Sequence, residues 1–82
     1  MFNAEQLKTI REKAIKIAEY HGYSIIKGLP TEDNKMPEFG INNVEFYDKD
    51  TNLIRSVSFH NILNKSIIAI TFFKELFRGR TT

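Results

Sequence analysis

The stretch NVEFYDKDTNLIRSVSF, residues 43–59, decides the fold, because it joins two runs of strand-forming residues through a short polar segment. Both runs are rich in β-branched and aromatic residues, which favour strands. The segment 48–52 between them is rich in Asp and Asn, which hydrogen-bond their own backbone in turns. We therefore predict a β-hairpin with strands over 39–47 and 53–59.

Residue parity constrains the register of this hairpin, because opposing residues share a face and a one-residue slip reverses every side chain. The apolar residues of the first strand, Val44 and Phe46, are even-numbered, whereas Leu53, Val57 and Phe59 of the second are odd-numbered. Placing both sets on the core side requires a loop with an even number of residues, most simply about four.

Arg55 then falls on the inward face, where a charged side chain needs an edge position, a carboxylate partner or a functional role. Residue parity is compatible with all three alternatives. The outward face receives the other residues of both strands, namely Asn43, Glu45 and Tyr47 beside Ile54, Ser56 and Ser58.

Residues 3–21 carry the clearest helical pattern in the chain, with apolar residues recurring at three- and four-residue spacing. Asn3 followed by Gln6 predicts an N-cap and a capping box, and Gly22 suits a left-handed residue at the helix end. The face that we expect to be buried consists of Leu7, Ile10, Ala14, Ile17, Ala18 and His21.

Three further segments complete the predicted order α-β-β-β-α. Residues 23–29 predict a short strand, and the polar stretch 30–37 predicts a loop. Residues 61–78 predict a final helix, with Asn61 as its N-cap, although 66–73 is rich in strand-forming residues and a strand there stays open as the alternative. We expect a single α+β domain over residues 1–82, in which an antiparallel three-stranded sheet packs against two helices.

The composition limits the chemistry that the chain can carry. It has 82 residues, no cysteine and a formal net charge of +2, so neither disulfides nor Cys-ligated metals can support the fold. Because no apolar run is long enough to cross a bilayer, and the N-terminus is polar from Asn3 onward where a signal peptide needs an apolar stretch, we expect a cytoplasmic protein. Phe, Tyr, Met, Ile, Asn and Lys make up 38 of the 82 residues, which favours an AT-rich bacterial or phage genome.

Residues with catalytic or ligating chemistry are few and scattered. His21 and His60 lack the spacing of a metal pair. A strand through residue 60 would place Ser58 and His60 on one face, but the chain has no nucleophile elbow or glycine-rich oxyanion turn. Residues 48–52 begin like a calcium loop, yet Leu53 stands where that loop needs glycine. We therefore expect no enzyme, no cofactor and no metal.

The apolar residues of the predicted last helix exceed what one face buries, since ten of residues 62–78 are apolar. A contiguous exposed apolar patch usually marks an interaction surface. We therefore predict a small non-enzymatic binding or regulatory protein, an inhibitor or adaptor, whose partner is another protein or a second copy of this chain. The residues expected at the contact are Leu63, Ile67 and Ile68 of the last helix and Tyr47 and Ile54 of the outer sheet face.

The order α-β-β-β-α resembles that of double-stranded RNA-binding domains. That family clusters lysines at the start of its last helix, and the corresponding stretch of this chain is HNILNK at 60–65. The family also carries a G-P-x-H-like motif between its first two strands, where this chain has GLP at 28–30. The resemblance implies a weak RNA- or DNA-binding module as the alternative function, with an affinity that falls as salt rises. The residues expected to contact phosphates are Arg55, Lys74, Arg78 and Arg80.

Overall fold

The computed structural model describes residues 2–37 and 42–66 of the chain. Its elements are α1 (Ala4–His21), β1 (Ile25–Lys27), β2 (Asn43–Tyr47), β3 (Leu53–Ser58) and α2 (Phe59–Asn64). The three strands form one antiparallel sheet in the order β1-β2-β3. The predicted α+β fold and the order α-β-β-β-α are therefore confirmed.

Helix α1 has the caps that the sequence predicts. The Asn3 side chain accepts a hydrogen bond from the Gln6 N–H at 2.8 Å, and the Gln6 side chain accepts one from the Asn3 N–H at 2.9 Å. Gly22 is left-handed, with φ of 73°, and the next N–H, that of Tyr23, donates to the Ala18 carbonyl. These contacts satisfy backbone groups that a helix end otherwise leaves without an intrahelical partner.

The core lies between α1, the sheet and α2. All but one of the residues predicted for the inner face of the first helix are buried, and the exception, His21, is half-buried. Burying an aliphatic or aromatic side chain contributes about 1.5–3 kcal/mol. The core residues are Leu7, Ile10, Ala14, Ile17, Ala18, Val44, Phe46, Val57, Phe59 and Ile62.

The register of the hairpin agrees with the parity argument. Val44 lies opposite Val57, and Phe46 lies opposite Arg55. The three apolar residues of this set are buried, whereas Arg55 is half-buried. The charged residue thus occupies the inward face of an outer strand of the sheet, and burial lowers the pKa of its guanidinium below the ordinary value.

The length of the hairpin loop and the position of Leu53 differ from the prediction. Tyr47 pairs with Leu53, so residues 48–52 form a loop of five residues instead of four, and Ile54 is an extra residue on β3. This β-bulge compensates for the odd number of loop residues. Beyond it, the even-numbered inward residues of β2 again lie opposite odd-numbered residues of β3. Leu53, predicted to point inward, is 54% exposed.

The first strand is shorter than predicted. It covers Ile25–Lys27 instead of residues 23–29. At its start, the Tyr23 N–H belongs to the C-terminal cap of α1, and at its end Gly28 has a left-handed φ of 81°, which stops the extended chain. The following loop lies against α1, because an Arg11 N–H donates to the Pro30 carbonyl at 2.9 Å.

The last helix begins earlier than predicted. Ser58 is its N-cap, and the Ser58 hydroxyl accepts a hydrogen bond from the Asn61 N–H at 3.1 Å. Asn61 is therefore inside the helix, and the prediction that it is the N-cap is wrong. Phe59, predicted to end a strand, is the first helical residue and is fully buried.

The same helix also ends earlier than predicted. Lys65 has an extended backbone, with φ of −111° and ψ of 150°, so α2 stops at Asn64. Asparagine favours turns and caps over helix interiors, because its side chain competes for backbone hydrogen bonds. A continuous helix over residues 61–78 is therefore wrong, and the part of that prediction from residue 67 onward lies outside the described residues.

Gly28→Ala should destabilise the protein more than Gly22→Ala. Both glycines are left-handed, a conformation that costs other residues about 1–2 kcal/mol. At Gly28 an added Cβ would also overlap the backbone oxygen of Asn43, whereas at Gly22 no atom lies within 4 Å. We expect urea denaturation to show a loss of about 3 kcal/mol for Gly28→Ala and about 1 kcal/mol for Gly22→Ala. Equal losses would contradict the close approach.

Lys13→Met should destabilise the protein modestly. The Lys13 ammonium donates to the carbonyls of Leu63 and Lys65, at 3.2 Å each, and so places a positive charge at the C-terminal end of α2. Such a charge contributes about 0.3–1 kcal/mol. We expect a loss of that size in the free energy of unfolding, measured by urea denaturation. Lys16→Met, on the exposed side of α1, is the control and should change it by less than about 0.5 kcal/mol.

Candidate functional site

The turn end of the hairpin brings three partly exposed apolar residues together. Tyr47 lies opposite Leu53, and Ile54 follows as the bulge residue. Leu53 is 54% exposed, Ile54 is 41% exposed and Tyr47 is half-buried. Successive strand residues normally point to opposite faces, but at this bulge both aliphatic side chains reach solvent. We call Tyr47, Leu53 and Ile54 the hairpin-tip patch.

The turn that carries this patch is held by one carboxylate. Asp48 Oδ1 accepts hydrogen bonds from the backbone N–H groups of Asp50 and Asn52, both at 2.9 Å, and Oδ2 accepts one from the Asn52 side chain at 3.2 Å. The Asp48 N–H donates to the Asn52 carbonyl, and the Thr51 N–H donates to that of Asp48. The bond from the Asn52 N–H contributes most to holding the pKa of Asp48 below its ordinary value.

Tyr47 is fixed on the outer face of the sheet. Its hydroxyl donates to a Glu45 carboxylate oxygen at 3.1 Å, and the Lys27 ammonium lies 4.9 Å from the centre of its ring. Burial, and then the Glu45 carboxylate, raise the pKa of the Tyr47 hydroxyl. The ring is therefore positioned by one neighbour on its own strand and one on β1.

The structure brings together only part of the predicted protein-interaction set. Tyr47 and Ile54 lie side by side, whereas Leu63 is half-buried and packs against the core. Ile67 and Ile68 lie outside the described residues. Leu53 joins the set in their place, although the parity argument assigned it to the core. The five-residue loop was the signal for its exposure, because an odd loop needs a bulge before the inward residues can pair.

The predicted phosphate contacts are mostly outside the described residues. Lys74, Arg78 and Arg80 belong to that part of the chain. Arg55 is half-buried on the side of the sheet that faces the core. A phosphate contact needs an accessible guanidinium, so this position of Arg55 offers little support for nucleic-acid binding.

The serine–histidine pair considered from the sequence does not form as expected. The Ser58 hydroxyl caps α2, and His60 lies in the first turn of that helix instead of on a strand. The His60 ring is exposed and contacts Phe2, with their ring centres 4.8 Å apart. Ser58 therefore has a structural role at the strand-to-helix junction.

A row of aromatic rings closes one end of the core. His21 lies 5.1 Å from Tyr20 and is stacked at 5.2 Å on Tyr23, and Tyr23 lies 5.2 Å from Phe46. His21 is also the basic residue in the last turn of α1, where a positive charge suits the helix end. These contacts give His21 the structural role that its place on the apolar face predicts.

A shallow groove of about 330 Å³ lies along α1, lined by Glu12, Ile15, Lys16 and Glu19. Within residues 2–37 and 42–66, no group of three or more His, Asp or Glu side chains is arranged to hold a metal ion. No helix in this part of the chain is long and apolar enough to span a membrane. Comparison with protein-family models, curated proteins and solved structures gave no significant match.

Asp48 should make the stability depend on acid pH. Its folded pKa lies below the ordinary 3.8, so the stability it contributes is present above pH 3.8 and is lost as pH falls through the folded pKa. Asp33, whose pKa is lowered chiefly by a hydrogen bond from Thr31, acts in the same direction. We expect Asp48→Asn to lower the stability at neutral pH and to flatten, without abolishing, the loss in acid, measured by urea denaturation across this range.

Asp50→Asn is the matched control for this pH profile. Asp50 joins the turn through its backbone N–H and carbonyl, whereas Asp48 joins it through its carboxylate. The Asp50 variant should therefore keep the wild-type profile. A profile that changes equally in both variants would contradict the role of the Asp48 carboxylate.

Proposed function

We propose that this protein is a non-enzymatic protein-binding module, of the inhibitor or adaptor type, that contacts its partner through the hairpin-tip patch. The observation that carries the proposal is the exposure of Leu53 and Ile54, side by side, at the end of a hydrogen-bonded turn. In a small domain with a thin core, apolar side chains left in water contribute nothing to folding.

The surroundings of the patch support this proposal. The apolar residues adjoin exposed polar residues of the turn, and apolar patches with a polar rim mark binding sites. Tyr47 adds an aromatic side chain, the type that contributes most at interfaces together with tryptophan and arginine. Tyr20, 71% exposed on α1, is a single exposed aromatic residue and therefore needs no functional explanation.

A purified complex tests the proposal. Tagged wild-type chain, the double variant Leu53→Asn/Ile54→Asn and the control Tyr20→Asn are used to capture proteins from the native cell. The captured protein is then purified and titrated into isotope-labelled chain. We expect amide shifts concentrated at residues 45–55, a loss of at least about tenfold in affinity for the double variant and about twofold or less for the control.

The same experiment also has outcomes that would contradict the proposal. Because all three replaced residues are exposed, circular dichroism and urea denaturation should show folded variants, and a loss of affinity then reports on contact. If the captured protein shifts amides elsewhere and the double variant binds normally, the patch is not the contact surface. If nothing specific is captured and no complex forms, the protein-binding function itself is wrong.

Nucleic-acid binding is separated from this proposal by a mobility-shift assay with RNA and with duplex DNA at low salt. Phosphate contacts make affinity fall steeply as salt rises. Salt-dependent binding that is unchanged in the Leu53→Asn/Ile54→Asn variant would replace protein binding as the function.

A further inference from the structure

We draw no further inference here: the strongest candidate, the exposed apolar surface at the turn end of the β2–β3 hairpin, belongs to the site already described, and nothing in residues 2–37 and 42–66 shows what covers it.

Discussion

The β-bulge at Ile54 is the constraint on which the rest of the structure depends. A five-residue loop alone would pair residues of the same parity and turn one strand's apolar side chains to solvent. The extra residue reverses this, so Val44 and Val57 share the core while Leu53 is left outside. With a loop of five residues, one irregularity thus completes the hydrophobic core and also leaves Leu53 and Ile54 exposed.

Features set by neighbouring residues could be predicted from the sequence, whereas those set by tertiary packing could not. Asn3, Gln6 and Gly22 act within one helical turn of their partners, and the structure has the predicted caps. The first residue of α2 was harder to predict, because Ser58 and Asn61 both belong to the residue types that favour the N-cap position. Phe59 would be buried either as a strand residue or as a helical one. A four-residue loop and a five-residue loop with a bulge also satisfy the same parity, so parity did not distinguish them, and the five polar residues 48–52 were the feature that favoured the second.

The small core explains why polar contacts between elements matter here. With no disulfide available, the ends of the elements are joined by long cationic side chains. Arg11 reaches the loop after β1, and Lys13 reaches the carbonyls at the end of α2. Both residues extend from α1, the longest element of the described chain, which therefore organises the loop on one side and the second helix on the other.

The cost of the bulge is the final reason to assign the hairpin tip a function. A four-residue loop would have directed Leu53 to the inner face, where full burial of a leucine contributes at most about 1.5–3 kcal/mol, a large fraction of the stability of a domain this small. The chain instead has a longer turn, an ordered carboxylate at Asp48 and two aliphatic side chains in water. An ordered turn reduces the conformational entropy that is lost on binding. It does not restore the free energy that burial of Leu53 would have contributed to folding. This cost to the stability of the folded chain supports the proposal that the hairpin-tip patch contacts a partner.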